Sequence, residues 1–301
     1  MRRLALLAAA TLAAAVALAG CGGPSGGGNR AIVVGSKNFT ENIILGEMIA
    51  QLIEAKTDYR VERKLSLGGT DVTFKGLRNS DLDVYVEYDG TAYAFHLGIA
   101  DPIADPDQVY DLVNERMQKE LGMKFTQPFG LNNTYTLAVP KELAEQHGLR
   151  TYSDLARVAD QFVLGVEHEF LNREHDGYPG LEKAYGFRFK QVVPMETGLK
   201  YKAIEQGEVQ VINAFATDGM LKKFNLVILE DDKGFFPPYN AAPLVRLDTL
   251  EQFPELEEVL NLLGGQISDE EMRELNYLVD EEGRSEAEVA REFLQRKGLI
   301  D

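Results

Sequence analysis

The sequence predicts an α/β fold with two lobes. Short runs of β-branched and apolar residues alternate with segments whose apolar residues recur at helical spacing, and the connections are short. This alternation starts again in the second half of the chain. A length of 301 residues is enough for two hydrophobic cores. In α/β sheets ligands bind beyond the carboxyl ends of the strands, so functional residues are expected in loops that lead into helices.

The first half of the chain alternates strand and helix. Residues 31–34 form a short β-branched run, and a helical pattern follows it. Thr40 is well placed to cap this helix, and Glu41 lies in the first turn, where the helix dipole favours an acid. Further along, the pattern predicts strands over 60–67 and 82–87 and a helix over 70–79.

The second half repeats the same design. Helices are predicted over 141–147, 152–159, 181–185 and 199–206, and strands over 162–166, 189–194, 209–215 and 226–229. The chain from residue 250 onward is predicted to be mostly helical. We interpret its acidic run over 280–282 as a solvated helix end without a chemical role.

Two segments resemble each other within the chain. Residues 81–88 and 208–215 each follow a predicted helix, begin with an acidic residue and end on an aromatic one, Tyr88 and Phe215 respectively. If the lobes are related by an approximate two-fold axis, these two rings face one another across a cleft. The similarity is short, and two unrelated strands that each follow a turn could also produce it.

The N-terminus has the layout of a secretory signal peptide. Two arginines precede an apolar, alanine-rich run, and residues 18–21 read Leu-Ala-Gly-Cys. These four residues match the lipobox of bacterial lipoproteins, which predicts a signal peptide over 1–20 and lipidation of Cys21. The glycine-rich stretch up to residue 30 is then a flexible tether. The alternative is an ordinary secreted protein with a stray cysteine.

Composition and motifs argue against several classes of function. Cys21 is the single cysteine, so disulfides within the chain are impossible, and a net charge of −17 is unsuited to nucleic acid. The sequence contains no phosphate-binding loop and no nucleophile elbow. A metal site could be formed by His168, Glu169, His175 and Asp176, but their spacing does not match a helical His pair. The alternative reading of this stretch is a plain loop with Arg173 as its useful residue.

Aromatic residues in loops and at strand ends are the stronger signal. Tyr88, Tyr135 and Phe215 lie at predicted strand ends, and Tyr239 lies in the proline-rich segment GFFPPYNAAP over 234–243. Each ring alone is explained equally well by core packing. A box of rings suits a quaternary ammonium group, which has no N–H to donate and is held by cation–π attraction.

The chain resembles the substrate-binding proteins of ABC transporters for glycine betaine, choline, carnitine and related quaternary amines. The similarity covers nearly the whole chain after the signal peptide. It is carried by the motifs VGSKNFTEN over 34–42, LGGTDVTFKGLRNSDLDVYVEYDGT over 67–91, GLNNTYTLAV over 130–139, FLNREHDGYPGLEKAYGF over 170–187, TGLKYKAIEQGEVQVINAFATDG over 197–219 and GFFPPYNAAP over 234–243.

This resemblance implies a particular fold. The family has the type II periplasmic-binding-protein fold, in which two α/β lobes joined by two crossing segments close on a ligand in the cleft. By similarity, lobe I comprises residues 31–135 plus 237–301 and lobe II residues 136–236. The crossings then fall near 133–136 and 236–240, next to the cleft.

The resemblance also implies the binding residues. The aromatic cage is expected from Tyr88, Tyr135, Phe215 and Tyr239, with Tyr201 as a further wall and Asn133 beside it. A ligand carboxylate is expected to meet Lys37, Arg173 and the hydroxyl of Thr91. For Lys37 and Arg173, a surface charge or an ion pair between the lobes is the alternative.

Two positions depart from the family's usual residues. Asp89 stands where threonine is common, and Phe215 stands where some members have tyrosine. Asp89 beside the cage would favour a cation without a carboxylate, or it would point to solvent.

The function that the resemblance implies is transport. We expect a monomeric, lipid-anchored binding protein on the outer face of the membrane, without cofactor, metal or catalytic activity. It would capture glycine betaine, choline, carnitine or proline betaine and deliver it to an ABC permease powered by a separate ATPase. Two alternatives remain: a binder of another betaine such as ergothioneine, and an extracellular metal-dependent hydrolase that uses His168 and His175.

Overall fold

The computed structural model describes residues 30–99, 106–174 and 176–301. The predicted signal peptide, Cys21 and the tether up to residue 29 lie outside these residues. Arg30, the last residue assigned to the tether, donates hydrogen bonds to Asp83 and Gln252, both at 2.6 Å. Arg30 is therefore part of the folded body. Within the described part of the chain, no helix is both long enough and apolar enough to span a bilayer.

The first sheet is built from both ends of the described chain. Its spatial order is β2, β1, β3, β10, β4. The first three strands run parallel, and β10 is antiparallel to both of its neighbours. The strands are β1 (Ile32–Gly35), β2 (Val61–Lys64), β3 (Val84–Tyr88), β4 (Met123–Phe125) and β10 (Ala241–Arg246).

The second sheet is formed by the middle of the chain and has the same plan. Its order is β7, β6, β8, β5, β9, with β6 parallel to β7 and β8, and β5 antiparallel to β8 and β9. The strands are β5 (Tyr135–Pro140), β6 (Val163–Glu167), β7 (Gln191–Met195), β8 (Val211–Phe215) and β9 (Leu226–Ile228).

The two sheets explain the internal sequence similarity. β3 and β8 are each the third strand in their sheet, and each pairs with an antiparallel strand that enters from the other side of the molecule. We call the first sheet with its helices lobe I and the second sheet with its helices lobe II. The residue numbers at which one lobe ends and the other begins stay a prediction.

Two segments of chain cross between the sheets, after β4 and before β10. They pair with each other, because Asn133 N donates to Tyr239 O at 3.0 Å and Tyr239 N donates to Asn132 Oδ1 at 2.8 Å. An antiparallel bridge between Asn132 and Asn240 continues this pairing. The crossing segments are thus hydrogen-bonded to one another at the junction of the lobes.

Helices surround both sheets. In lobe I, α1 lies between the sheet and the last three helices and is buried along most of its length. The helices are α1 (Thr40–Lys56), α2 (Thr70–Arg78), α3 (Asp89–Thr91), α4 (Pro106–Leu121), α5 (Lys141–His147), α6 (Tyr152–Ala156), α7 (His168–Asn172), α8 (Tyr178–Tyr185), α9 (Thr197–Glu205), α10 (Met220–Lys223), α11 (Leu247–Gln252), α12 (Leu256–Asn261), α13 (Asp269–Asp280) and α14 (Glu286–Arg296). A π-helical turn covers Ala92–His96 and a 3-10 turn covers Ala159–Gln161.

Most predicted elements are present, with ends shifted by a few residues, but one cap is wrong. Helix α1 begins at Thr40 itself, after an extended Phe39 that makes no side-chain capping bond. The Thr40 hydroxyl instead donates to Asp280 Oδ1 at 2.5 Å. Strands β4 and β10 were not predicted. β4 has only three residues, and β10 contains Pro243, which weakens a strand pattern.

Candidate functional site

A cavity of about 620 Å³ lies between the two lobes, next to the crossing segments. Loops at the carboxyl ends of strands in both sheets line it, as the α/β fold predicts. The lining includes all nine side chains predicted for the site: Lys37, Tyr88, Thr91, Asn133, Tyr135, Arg173, Tyr201, Phe215 and Tyr239. The structure therefore brings the predicted residues together, while their role in binding stays a prediction.

Three of the cage rings contact one another. Tyr135 and Phe215 are direct partners in the β5–β8 register, with ring centroids 4.8 Å apart. Tyr239 meets Tyr135 edge-on, with centroids 5.9 Å apart and planes at 90°. Tyr88 reaches the same cavity from lobe I, where its nearest ring is Phe39 at 6.3 Å. Rings from both lobes and from a crossing segment thus share one cavity.

Tyr239 is held from several sides. Its hydroxyl donates to Asp176 Oδ2 at 2.6 Å, and its ring is 3% exposed. Gly90 lies under this segment so closely that a Cβ there would stand 2.3 Å from Pro238 O and 2.9 Å from the Tyr239 ring. Only glycine fits at this contact, which accounts for the Asp-Gly-Thr turn after β3. The proline-rich segment is therefore clamped against lobe I with its ring already in place.

Lys37 is not free. Its ammonium donates to Glu87 Oε1 at 2.5 Å and to Thr70 Oγ1 at 3.1 Å, and it lies 5.1 Å from the Tyr88 ring centroid. Burial alone would raise the pKa of Glu87, but Lys37 and His96 lower it to about 2. Lys37 thus lines the cavity as half of a buried ion pair within lobe I. This is neither the surface charge nor the pair between lobes considered from the sequence.

Arg173 is paired as well, but less completely. Its Nε donates to Asp176 Oδ1 at 2.8 Å, and Nη2 donates to the other oxygen of the same carboxylate. Nη1 donates to Glu169 at 3.1 Å, and that carboxylate is 66% exposed. The guanidinium carbon lies 5.5 Å from the centroid of Tyr135. Nε and Nη2 of Arg173 are therefore bound to the buried Asp176, whereas Nη1 is bound only to the exposed Glu169.

The remaining predicted side chains have simpler surroundings. Thr91 reaches the cavity from α3 and is 7% exposed. Tyr201 stacks on Phe224 and donates its hydroxyl to Asp218, whose pKa is raised by burial. Tyr201 is thus a wall of the cavity whose hydroxyl already has an acceptor.

Glu41 is the main residue that the sequence analysis missed. It is 3% exposed, and four donors surround its carboxylate. Oε1 accepts from Tyr88 at 2.6 Å and from Asn133 at 2.8 Å, whereas Oε2 accepts from Thr217 at 2.5 Å and from Asn276 at 3.4 Å. Burial raises its pKa. Its position where a loop leads into a helix could have marked Glu41 as a site residue. An acid in the first turn of a helix is, however, already explained by the helix dipole.

Lys200 was missed for a different reason. It is fully buried and pairs with Glu167, which lines the cavity. Its ammonium lies 5.6 Å from the Phe215 ring centroid and 5.4 Å from that of Tyr201. A lysine in a helix normally points to solvent, so the sequence offered no sign that this one supports two cage rings from behind.

The acidic run over 280–282 has partners that the sequence analysis did not expect. Asp280 lines the cavity, its pKa is raised by burial, and it accepts the hydrogen bond from Thr40. Glu281 pairs with Lys223 of α10, and Lys222 lies 3.6 Å from Glu274. The end of α13 therefore joins the two lobes, because α10 belongs to lobe II. Asp280 and Glu282 are exposed, so this helix end is solvated as predicted, but it has contacts that the sequence did not indicate.

Asp89 takes neither position predicted for it. It is fully buried, accepts from Gly90 N and Asn240 N at 2.7 Å each, and accepts from Asn240 Nδ2 at 2.8 Å. Burial raises its pKa to about 7 despite these donors. Asp89 therefore holds a crossing segment against lobe I instead of facing the cage or solvent.

The metal hypothesis gains no support from the described residues. Within the part of the chain that the structure describes, no three or more His, Cys, Asp or Glu side chains come together as a metal site. His175 lies outside the described residues. Asp176 is already engaged by Arg173 and Tyr239.

Comparison with known proteins agrees with this geometry. Residues 30–296 match the family described as the substrate binding domain of ABC-type glycine betaine transport systems. A carnitine transport binding protein from Listeria monocytogenes is 34% identical over 301 aligned residues, covering 99% of this chain and 97% of the relative. A crystal structure described as a glycine betaine/carnitine/choline ABC transporter is 35% identical, with a TM-score of 0.81 over 90% of this chain and 100% of that one.

A third relative combines two functions in its name. An ergothioneine transport permease/ergothioneine binding protein from Helicobacter pylori is 36% identical over 269 residues, which is 89% of this chain and 48% of the relative. This chain therefore spans about half of that protein. The match over residues 30–296, the whole-length relative and the shared architecture agree, and the chain belongs to the family of substrate-binding domains of ABC-type glycine betaine transport systems.

Proposed function

We propose that this protein captures a quaternary-ammonium osmoprotectant outside the cytoplasm and delivers it to an ABC permease. The ligand class comprises glycine betaine, choline, carnitine and proline betaine. The observation that carries the proposal is the cavity between the lobes, where rings from lobe I, lobe II and a crossing segment meet. A permanently charged group without N–H donors is the ligand for which such rings are suited.

The charges around the cavity support a cationic ligand. Five acidic side chains line it, Glu41, Glu167, Glu169, Asp218 and Asp280, against the basic Lys37 and Arg173. Both basic groups are paired with carboxylates. Each ring face adds about 0.5 to 2 kcal/mol of cation–π attraction. Three or four faces together contribute about 1.5 to 8 kcal/mol toward the roughly 8 kcal/mol that micromolar affinity needs.

A ligand carboxylate has one natural partner. Arg173 keeps two of its N–H groups on Asp176, and its third bond goes to the exposed Glu169. Because an exposed pair contributes little, a bound carboxylate can replace Glu169 at Nη1. Lys37 is the weaker candidate, since its partner Glu87 is fully buried and could not be left without it.

The remaining parts of the proposal concern location and assembly. Cys21 would carry the lipid anchor after removal of residues 1–20, and the tether predicted over 21–30 would connect it to the folded body. The protein would act as a monomer without catalysis, with lobe I over 31–135 plus 237–301 and lobe II over 136–236. Contacts from both lobes to one ligand would make closure depend on binding, which lets a permease distinguish loaded from empty protein.

Calorimetric titration tests the binding function. Mature protein is titrated with each of the four compounds. Buffer alone is the blank, and tetraethylammonium is a control cation that is larger than a trimethylammonium group. We expect saturable binding at micromolar concentration for at least one compound. No heat from any of them at millimolar concentration would contradict the proposal. The anchor is tested separately by mass spectrometry of the N-terminal peptide and by release of Cys21→Ala protein from membranes.

Ergothioneine is a second candidate ligand of the same class. It carries a trimethylammonium group and a carboxylate, and the relative from Helicobacter pylori is named for binding it. Its ring needs hydrogen-bonding partners that glycine betaine does not need. Including ergothioneine in the same titration series decides between them.

A further inference from the structure

Glu169 places a carboxylate of the protein on the arginine that a ligand carboxylate is expected to meet. It lines the cavity from α7, and its Oε1 accepts from Arg173 Nη1 at 3.1 Å. Nε and Nη2 of the same arginine donate to Asp176. Because both Glu169 and Arg173 line the cavity, a ligand carboxylate that approaches Nη1 comes next to the carboxylate of Glu169.

The two carboxylates that hold Arg173 differ in how easily they can leave it. The side chain of Glu169 is 66% exposed, whereas that of Asp176 is 7% exposed and also accepts from the Tyr239 hydroxyl. An exposed ion pair contributes little, so Glu169 can turn into solvent at small cost. Loss of Asp176 would leave a half-enclosed guanidinium without its main partner. Glu169 is therefore the exchangeable partner of Arg173.

The charge next to the cage depends on where Glu169 points. The guanidinium carbon of Arg173 lies 5.5 Å from the ring centroid of Tyr135, so this group of charges adjoins the cage. With Glu169 in place, one positive and two negative side chains meet there, which attracts a cation and repels a carboxylate. With Glu169 turned away, Arg173 and Asp176 balance each other and Nη1 is open to a new acceptor.

We propose that Glu169 sets the selectivity of the cavity between quaternary amines that carry a carboxylate and those that do not. This inference rests on the proposed function and deepens it. With choline in the cage, Glu169 stays on Arg173 and adds to the attraction for the cation. With glycine betaine or carnitine, the ligand carboxylate takes Nη1 and Glu169 turns into solvent, so the affinity is lowered by the cost of this exchange. One exposed side chain thus lets one cavity accept both kinds of ligand.

The competing explanation is that Glu169 only supports the local structure. Glu169 and Arg173 are four residues apart, and pairs at this spacing are common on helices and add a little stability. In that case loss of Glu169 changes the affinity for both kinds of ligand by the same factor, because the position of Arg173 is altered for both. The two explanations therefore differ in a measurable ratio of affinities.

Glu169→Gln protein measures this ratio. Glutamine keeps the length of the side chain and an oxygen that can accept from Nη1, but it removes the charge. Calorimetric titration of mature protein compares glycine betaine with choline, and carnitine with its methyl ester, which has no carboxylate charge. We expect the carboxylate-bearing member of each pair to gain about fivefold over its partner, because the cation loses an attraction and the carboxylate loses a competitor.

The outcomes separate this inference from the proposed function. A ratio that changes by less than twofold in both pairs overturns the inference and leaves the proposed function intact. If only one member of a pair binds, its own affinity is decisive: in Glu169→Gln protein a carboxylate ligand must not bind more weakly, and a ligand without a carboxylate must. If no compound binds to unaltered protein, the proposed function and the inference both fail.

Glu120→Gln is the matched control. Glu120 is also an exposed glutamate four residues from its arginine, Arg116, at 2.7 Å, and neither residue is among the described residues that line the cavity. This variant removes the same charge, so its affinity ratios should equal those of unaltered protein. In high salt, the shift caused by Glu169→Gln should shrink, because the charge of an exposed side chain is screened. An equal shift in Glu120→Gln protein, or a shift that salt does not reduce, would overturn the role of the Glu169 charge.

Discussion

Thr217 of lobe II donates a hydrogen bond to Glu41 of lobe I, with 2.5 Å between Oγ1 and Oε2. Both side chains are buried, at 1% and 3% exposure. The carboxylate also binds Tyr88 of lobe I and Asn133 of a crossing segment. One buried acid thus connects the two lobes and the crossing between them. The donor from Thr217 is in place only while the lobes touch.

Thr217→Val should weaken ligand binding about tenfold. Valine keeps the shape of threonine but removes the donor that lobe II offers to Glu41. A buried carboxylate that loses one donor costs about 1 to 3 kcal/mol. This cost falls on the arrangement in which the lobes touch, so ligand affinity decreases while each lobe stays folded. Titration calorimetry measures the affinity, and small-angle scattering should show a larger radius of gyration without ligand.

Thr136→Val is the control for this variant. Thr136 is also a buried threonine, but its hydroxyl contacts Tyr152 and Leu229 within lobe II. Its loss should lower the free energy of unfolding without a change in affinity. Equal affinities for Thr217→Val and unaltered protein would show that the bond between lobes does not contribute to binding.

Tyr239→Ala should weaken quaternary-amine binding by at least tenfold. The variant removes a ring that the crossing segment holds in the cavity, whereas Tyr239→Phe keeps the ring and loses only the bond to Asp176. We therefore expect Tyr239→Phe to keep most of the affinity. Calorimetry on both variants, with circular dichroism to check folding, separates the two contributions. A loss of equal size in both would assign the effect to the hydroxyl and contradict a cation–π role.

How far the sequence predicts this site depends on the kind of residue. Tyr88 and Phe215 end strands, so their place beside a cleft follows from the α/β pattern alone. Tyr135 and Tyr239 were placed by family resemblance, because no local pattern shows which loops cross between lobes. Glu41, Lys200 and Asn276 were missed, since burial of a polar side chain on a helix depends on which surfaces meet in the fold. Their partners lie up to 235 residues away in the chain.

The same limit explains why the partners of Asp89 and Asp280 were missed. An isolated acid in a turn or at a helix end is usually solvated, and a sequence pattern cannot reveal a partner from a distant part of the chain. Asp89 is enclosed by Asn240, which is 151 residues away, and Asp280 is bonded to Thr40, which is 240 residues away. Contacts between the two ends of the chain decided both positions.

Asp89→Asn should change how stability depends on pH. Burial raises the pKa of Asp89 in the folded protein from its ordinary value of 3.8 to about 7. The folded state therefore holds this proton more tightly than the unfolded state. The stability that Asp89 contributes is fully present below pH 3.8 and is lost as pH rises through 7. Relative to the asparagine variant, unaltered protein should lose about 4 kcal/mol of unfolding free energy between pH 4 and pH 8.

Urea denaturation at several pH values measures this difference. Asparagine keeps the oxygen that accepts from Gly90 N and Asn240 N, and the Asn240 amide can turn to pair with the new amide nitrogen. The variant should therefore fold, and it should be the more stable protein at pH 8. Parallel stability curves for the two proteins would mean that Asp89 is ionised throughout and that its three donors outweigh burial.

Gly219→Ala should hold the lobes apart. Gly219 of lobe II lies against α13 of lobe I, where an added Cβ would stand 2.7 Å from Tyr277 N and 3.0 Å from Arg273 O. Backbone atoms of a helix cannot move aside, so the added methyl group prevents this contact between the lobes. Within lobe II the substitution is tolerated, because Gly219 has a helical backbone conformation that alanine adopts readily. Affinity should fall at least tenfold, with unchanged thermal unfolding and a larger radius of gyration in the presence of saturating ligand. Gly198→Ala is the control at the same cavity, because nothing lies within 4 Å of its Cβ position. If Gly219→Ala binds as tightly as Gly198→Ala, the contact between α10 and α13 is not required for the ligand-bound state, and closure must depend on the crossing segments and Glu41 alone.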